Sequence, residues 1–335
     1  MVTANGVPPM RARYLHLLLS IFAALAILAA PQSGQAQDWP QRPVKIVVPF
    51  AAGGNADGVT RIIAQRLGEI FGQQFVVENR VGGAGVIAAE AVARAAADGY
   101  TLFMASPSQL AISPAMTKTP YDATKDFAPV SLVGANSLVL LAHPSVPGRN
   151  LMEFVEHARQ HPNKLTYAAS GVGSVSQLSM ALFLKRAGIE LTAIAYRGGA
   201  TPITDLIAGH VQTYFTGVSD ALPHAGSGAL KLLAVSSDQR LARLSNVPTF
   251  GEAGFPGFKI ITWNGLVAPA GTPKAVIDRI AREVARAVKE PQTIERLNGF
   301  GVDPVGSSAE EFAAQLTADI RMWGEAVKLA GLQTQ

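Results

Sequence analysis

A glycine turn between an apolar strand and a helix is the first stretch of this sequence that could bind a ligand. The run Val44–Val48 ends at Pro49, and an apolar stripe at helical spacing begins at Val59. Glycine can take positive φ and lets backbone approach a ligand, and the first N–H groups of a helix have no partner within it. Such a turn favours an anion, although an ordinary βα turn that binds nothing is the alternative for this stretch alone. Its candidate residues are Phe50, Ala51, Ala52, Gly53, Gly54, Asn55 and Asp57.

Four further loops share the small, hydroxyl-rich composition of this turn, and each follows a predicted strand. Because ligands bind outside the carboxyl ends of strands in open parallel sheets, the five loops are expected to converge on one cleft. Plain connections between strands and helices are the alternative. The candidate ligand-binding residues in these loops are Ser106, Ser108, Ser170, Gly171, Val172, Gly173, Ser174, Arg197, Gly198, Gly199, Thr201, Ser219 and Asp220.

An alternation of strands and helices is predicted to position the first two loops. Its strands are expected at Val44–Val48, 75–78 and 100–105, with helices between them. This βαβ rhythm implies a parallel sheet with helices on its faces. The following stretch contains several prolines and is interpreted as irregular up to a strand at 137–142.

A second alternation, from residue 151 to 235, is predicted to position the other loops. A strand at 263–268 follows it. The chain from Pro273 onward is helical in pattern, and we expect this tail to pack back on the first alternation.

The two alternations predict two lobes. Residues 37–139 and 261–335 form lobe 1, and the inserted residues 140–260 form lobe 2. The chain passes between them near residues 140 and 260, and two such crossings make a hinge.

The N-terminal segment, residues 1–36, is typical of a secretory signal peptide. Arg11 and Arg13 precede a nearly continuous apolar run from Leu17 to Ala30, and Gly34 and Ala36 are small residues at the positions that a signal peptidase reads. The apolar run is shorter than the ~20 residues that span a bilayer. We therefore expect cleavage near Ala36 and a periplasmic protein without stable membrane insertion, with an uncleaved anchor as the alternative.

Composition excludes several classes of partner. The chain has 28 basic and 24 acidic side chains, and loss of the signal peptide removes two arginines and no acid, which leaves 26 against 24. This near balance, without any basic block, gives no support for nucleic-acid binding. Cysteine is absent, so the exported chain relies on its core instead of disulfides.

The sequence predicts no cofactor, no metal and no catalytic residue. Gly83 and Gly85 begin a loose dinucleotide fingerprint, but no acidic residue ends the next strand. His157 and His161 have helical spacing without the glutamate of a zinc peptidase, and Pro162 ends that helix. Neither a G-x-S-x-G motif nor a cysteine offers a nucleophile.

Motifs along the whole mature chain resemble those of the Bug family, the periplasmic solute-binding receptors of tripartite tricarboxylate transporters. They are Trp39-Pro40-x-Arg42-Pro43, Gly53-Gly54-x-x-Asp57, Val77-Glu78-Asn79-Arg80, Asp98-Gly99-Tyr100, Tyr196-Arg197-Gly198-Gly199, Asp205-Leu206-x-x-Gly209, Val247-Pro248-Thr249-Phe250 and Ala268-Pro269-Ala270-Gly271-Thr272-Pro273.

This resemblance implies an α/β type II periplasmic-binding-protein fold, in which two Rossmann-like lobes joined by two crossover strands close on a ligand. It implies a monomer that binds a small-molecule carboxylate and delivers it to the membrane subunits of a transporter. One ligand carboxylate would be held by backbone N–H groups of the loop after the first strand and by ordered water. The Ser170 and Tyr196 loops would complete the grip, and the motifs add Asp205 to the candidates.

The sequence also departs from the family pattern. Asn55 and Ala56 stand where many members have Gly-Thr or a similar pair, and Gly58 replaces a larger apolar residue. Val172 lies at a position that is often polar. These departures concern the far end of the ligand more than the grip on its carboxylate.

Two rival functions compete with a transport receptor. An exported hydrolase or isomerase could use Asp57, Asp205 or Asp220 as a base, but the sequence offers no coupled pair of groups that would tune its pKa. A receptor that docks on a membrane sensor would share the fold.

The predicted signal peptide gives a first testable expectation. Intact-mass analysis of the periplasmic form should show the loss of residues 1–36 and a new N-terminus near Gln37. Retention of Arg11 and Arg13 would contradict the export prediction.

Overall fold

The computed structural model describes residues 39–196 and 201–333. The predicted signal peptide, Arg197, Gly198 and Gly199 therefore lie outside the described residues. One compact unit begins at Pro40 and continues to the C-terminus, and the architecture below is that of this unit.

Strands and helices alternate along most of this unit. The strands are β1 (Val44–Val48), β2 (Phe75–Asn79), β3 (Thr101–Ala105), β4 (Phe127–Ala142), β5 (Thr166–Ala169), β6 (Thr192–Ala195), β7 (Thr213–Gly217), β8 (Lys231–Val235), β9 (Ile261–Pro269) and β10 (Asp303–Pro304). The helices are α1 (Asn55–Phe71), α2 (Val86–Ala93), α3 (Ser113–Met116), α4 (Leu151–Gln160), α5 (Val175–Ala187), α6 (Thr201–Ile207), α7 (Val218–Ala221), α8 (Lys274–Ala287), α9 (Pro291–Gly299) and α10 (Ala309–Leu329).

The strands form one mixed sheet in the order β2-β1-β3-β9-β4-β7-β5-β6, with β8 and β10 also paired to β4. β1 runs parallel to β2 and β3, and β5 runs parallel to β6 and β7, as the two alternations predict. β9 runs antiparallel to both β3 and β4, and β4 runs antiparallel to β7 and β8. Two antiparallel strands therefore join two parallel units.

β4 is longer than the sequence predicts, because the end of the stretch interpreted as irregular, residues 127–136, is its first part. Phe127 to Ser137 pairs with β9, Leu138 to Ala142 pairs with β7, and Val139 to Ala142 also pairs with β8. The register against β9 shifts between Pro129 and Ser131. Proline lacks a backbone N–H, and a bulge tolerates it within a sheet.

α10 packs on both lobes, whereas the sequence analysis places the whole tail on lobe 1. Its first turns join a cluster of buried side chains from lobe 1, in which Phe312 packs edge-on against Trp263 at 5.1 Å between ring centres. Its last turns join another cluster, in which Trp323 and Val327 share a core with side chains of lobe 2. Lys185 of lobe 2 also pairs with Glu325 at 2.6 Å.

Gly265 of β9 provides a test of this packing. A Cβ atom there would lie 2.3 Å from the Phe312 ring, and Phe312 is fully buried. We expect Gly265→Ala to destabilise the protein by roughly 1–3 kcal/mol through overpacking. Gly324→Ala on α10 is the control, because a Cβ atom there meets nothing within 4 Å and should leave stability unchanged or higher. Equal chemical-denaturation midpoints for the two variants would contradict this packing argument.

Candidate functional site

A cleft of about 470 Å³ lies where the loops after β1, β3, β5 and β7 meet the two joining strands. Seven of the predicted residues line it, and they come from four of the five loops: Phe50, Gly54, Asn55, Ser106, Ser108, Ser170 and Asp220. The convergence of these loops is what the sequence predicts. Their role in binding stays a prediction.

The other described candidates are not among the residues that line the cleft. They are Ala51, Ala52, Gly53, Asp57, Gly171, Val172, Gly173, Ser174, Tyr196, Thr201, Asp205 and Ser219. Tyr196 donates a hydrogen bond to Asp205 at 2.9 Å, and burial, together with this carboxylate, raises its pKa to about 12. The Gly173 loop packs on lobe 1, because a Cβ atom at Gly173 would lie 2.3 Å from the Met116 sulfur.

The floor of the cleft was missed in the sequence analysis. Asn136 of β4 and Thr262 and Asn264 of β9 line it, together with Leu138 and Trp263. Thr262 and Asn264 are two apart in a strand, so they lie on one face. Polar residues at that spacing within an otherwise apolar strand are the signal that could have identified them.

Further lining residues come from the loops and helix starts beside the predicted residues and from the end of β7. They are Ala56, Pro107, Val175, Ser176, Tyr214, Phe215, Thr216 and Gly217.

The loop after β1 is held in shape by the carboxylate of Asp57. This side chain is 3% exposed and accepts hydrogen bonds from the Gly53 N–H, from Arg61 and from Asn79, each at 2.9 Å. Asn79 also donates to the Phe50 carbonyl at 3.0 Å. These donors, above all Arg61, lower the pKa of Asp57 to about 2. Asp57 therefore supports the loop from beneath.

The two glycines of this loop differ in conformation. Gly53 has a φ of +87°, which explains the need for glycine there. Gly54 has a φ of −78° and is the N-cap of α1, where no side chain caps the helix. A Cβ atom at Gly54 would meet only the Ala51 carbonyl oxygen at 3.7 Å. A larger residue at Gly54 is therefore compatible with the fold, although this position lines the cleft.

Asn55 ties the start of α1 to the cleft floor. Its side-chain oxygen accepts from Asn264 at 3.1 Å, and its amide nitrogen donates to the Phe300 carbonyl at 2.8 Å. Asn136 lies 3.5 Å from the same nitrogen. The Phe300 ring occupies the space where a Cβ atom of Gly58 would be, at 2.2 Å. The departures from the family pattern at Asn55 and Gly58 are thus linked through Phe300.

The segment from Phe300 to Asp303 contacts lobe 2 as well. Arg243 donates to the Gly301 carbonyl at 3.2 Å and pairs with Asp303 at 3.1 Å. A Cβ atom at Gly301 would lie 2.8 Å from the Ser219 Cβ. This segment therefore joins the two lobes beside the cleft.

Gln109 supports the loop after β3. Its side-chain oxygen accepts from the Ser106 N–H at 3.0 Å and from the Ser106 hydroxyl at 2.9 Å. Its amide nitrogen donates to the Ala84 carbonyl at 2.9 Å, and the Tyr121 hydroxyl donates to the backbone carbonyl of Gln109 at 2.6 Å. This fully buried amide thus fixes two loops beside each other.

The lobe 2 wall of the cleft is a network of hydroxyl groups. The Ser176 hydroxyl lies 2.9 Å from that of Ser170 and accepts from the Ser170 N–H at the same distance. Thr216 donates to Asp220 at 2.7 Å. Burial raises the pKa of Tyr214, which keeps its hydroxyl neutral. Within 39–196 and 201–333, no group of three or more His, Cys, Asp or Glu side chains could hold a metal ion.

Comparison with known proteins finds relatives along nearly the whole chain. Residues 59–332 match the family model described as "Tripartite tricarboxylate transporter family receptor". Protein BugT of Bordetella pertussis is 34% identical over 316 residues, which are 94% of this chain and 96% of BugT.

Solved structures extend the comparison to the fold. Rpa4515 of R. palustris with adipate is 35% identical, covers 88% of this chain and 98% of its own, and superposes with a TM-score of 0.73. MatC of Rhodopseudomonas palustris with bound malate is 32% identical. The match covers 86% of this chain and 100% of MatC, with a TM-score of 0.70. This likeness confirms the predicted fold class.

The depressed pKa of Asp57 gives a prediction for stability against pH. Because the folded pKa of about 2 lies below the ordinary 3.8, the stabilisation is complete above about pH 4 and is lost as the pH falls through about 2. Asp57→Asn should therefore lower the free energy of unfolding by about 2 kcal/mol at pH 7, with the difference shrinking below pH 4.

Urea denaturation of both proteins between pH 7 and pH 2 measures this. Asp278→Asn is the control, because its exposed pair with Lys274 should contribute less than about 1 kcal/mol. A pH-independent difference at Asp57 would contradict the assigned role of its carboxylate.

Proposed function

Because the chain belongs to the tripartite tricarboxylate transporter receptor family, we propose that its cleft binds a small organic carboxylate and that the loaded protein delivers it to the membrane subunits of such a transporter. Membership confirms the resemblance to Bug proteins noted in the sequence. It also favours a receptor over the alternative of an exported enzyme, because the family is one of solute receptors.

The start of α1 at the cleft is the observation that carries the carboxylate assignment. This helix of 17 residues begins directly after Gly54, and no side chain caps its first N–H groups. Unpaired N–H groups and the positive end of the helix dipole stabilise a negative charge. The carboxylate would lie against Gly54, where the absence of a side chain leaves the backbone open to it.

The rest of the cleft supplies neutral polar groups. Hydroxyls of Ser106, Ser108 and Ser170 line its sides, and amides of Asn136 and Asn264 line its floor. A volume of about 470 Å³ is within the range of roughly 300–1,000 Å³ that small-molecule sites occupy. Adipate and malate, the ligands of Rpa4515 and MatC, are of a size that this cleft accommodates.

The proposal includes closure of lobe 1, residues 37–139 and 261–335, on lobe 2, residues 140–260. A ligand that contacts residues of both lobes, such as Gly54 and Ser170, stabilises the closed form and shifts the population toward it. The joining strands β4 and β9 support this division, because their residues form the floor between the lobes.

The mature protein would act in the periplasm as a monomer, after cleavage near Ala36. The predicted signal peptide supports export, and structures of related periplasmic proteins support the compartment. In the part of the chain that the structure describes, no helix combines the length and the apolar character needed to cross a bilayer.

Replacement of Gly54 tests the proposed function directly. We expect Gly54→Val to weaken carboxylate binding by at least about tenfold, because its side chain would block the approach to the α1 N–H groups. Asp57→Asn should weaken binding much less, since Asp57 only supports the loop. Isothermal titration calorimetry with adipate, malate and related acids measures both effects.

Gly299→Val is the matched control, because Gly299 is exposed and a Cβ atom there meets nothing within 4 Å. Melting temperatures check that each variant is folded. A folded Gly54→Val protein with undiminished affinity would refute the backbone grip, and loss of binding in Asp57→Asn alone would move Asp57 into contact with the ligand.

A further inference from the structure

We propose that the cleft is built for a ligand with a carboxylate at one end and a positively charged amino group at the other, and that Asp220 binds the amino group. This inference rests on the proposed function and specifies its ligand. It assigns Asp220 as a specificity-determining residue.

The carboxylate of Asp220 lies at the cleft with its orientation fixed. The Thr216 hydroxyl donates to its Oδ2 atom at 2.7 Å. Both residues line the cleft, and Asp220 is exposed. A carboxylate has about four acceptor sites, so the bond from Thr216 leaves capacity for a donor from the ligand.

No described residue of the cleft lining carries a charge opposite to that of Asp220. Among the described residues that line the cleft, Asp220 is the only one whose side chain is charged at neutral pH. A second ligand carboxylate placed beside it would be repelled, and closure would bury Asp220 without a counter-charge from the described lining residues. An ammonium group removes both penalties, because it supplies the opposite charge and hydrogen-bond donors.

The lobe 1 wall has the complementary character. The start of α1 at Gly54 presents N–H groups without a side-chain cap, and the hydroxyls of Ser106 and Ser108 lie on the same wall. One wall therefore attracts an anion and the other attracts a cation. This polarity would orient a zwitterionic ligand across the cleft and distinguish it from a dicarboxylate of the same length.

Calorimetric titration of the mature protein with ligand pairs of matched length tests the inference. The pairs are 4-aminobutanoate and succinate, 5-aminopentanoate and glutarate, and 6-aminohexanoate and adipate. At the length that fits the cleft, we expect the amino acid to bind at least about tenfold more tightly than the diacid.

Asp220→Asn should abolish this preference, with weaker binding of the amino acid and unchanged or tighter binding of the diacid. Asp238→Asn, which removes an exposed carboxylate of the same lobe that pairs with Lys259, should retain the preference. The wild-type comparison between the two series does not depend on the folding of either variant.

The outcomes separate this inference from the proposed function. Tighter binding of diacids at every length, or a preference that survives in Asp220→Asn, would overturn the role of Asp220 and leave a carboxylate receptor. Binding of neither series by the wild-type protein would overturn the carboxylate cleft and the inference with it.

Discussion

The antiparallel ladder between β4 and β9 is the constraint on which the rest of the structure depends. It runs from Phe127 opposite Pro269 to Ser137 opposite Ile261. The parallel unit of β1, β2 and β3 attaches to β9, and the unit of β5, β6 and β7 attaches to β4. Because both units attach to the same ladder, the carboxyl ends of their strands meet at one place, and polar residues of the ladder become the floor of the cleft.

Most charged side chains near the cleft form ion pairs with one another outside its lining. Asp57 and Arg61 neutralise each other beneath the first loop, and Arg243 and Asp303 pair beside the cleft. The surfaces that face the cleft are hydroxyls, amides and backbone N–H groups, with Asp220 as the charged exception among the described lining residues. Such neutral groups can bind an anion without a cationic side chain in the cleft. A buried, unpaired cation would carry a large desolvation cost in the ligand-free protein.

Local patterns were enough to predict the parallel units and four of the loops at the cleft. Each βα unit has its own apolar periodicity and glycine turn, and strands ending at one sheet edge bring such loops together. The first ten residues of β4 were not predicted, because Pro129 resembles a breaker until the bulge against β9 is known. The floor residues were missed for a similar reason: the partners of Asn136 and Asn264 are more than 80 residues distant in sequence. The role of Gly58 depends on Phe300, which no local pattern could indicate.

The position of α10 has a consequence for how the lobes can move. The helix is continuous over 21 residues, and it packs beside Trp263 at one end and beside lobe 2 side chains at the other. A rigid rod fixed to both lobes would oppose a simple bend in β4 and β9. The proposed closure would therefore include sliding of the last turns of α10 across α5, where Lys185 and Glu325 form an exposed pair. Such a closure would combine a hinge in the strands with shear along a helix, and the C-terminal turns of α10 would then limit how far the cleft opens.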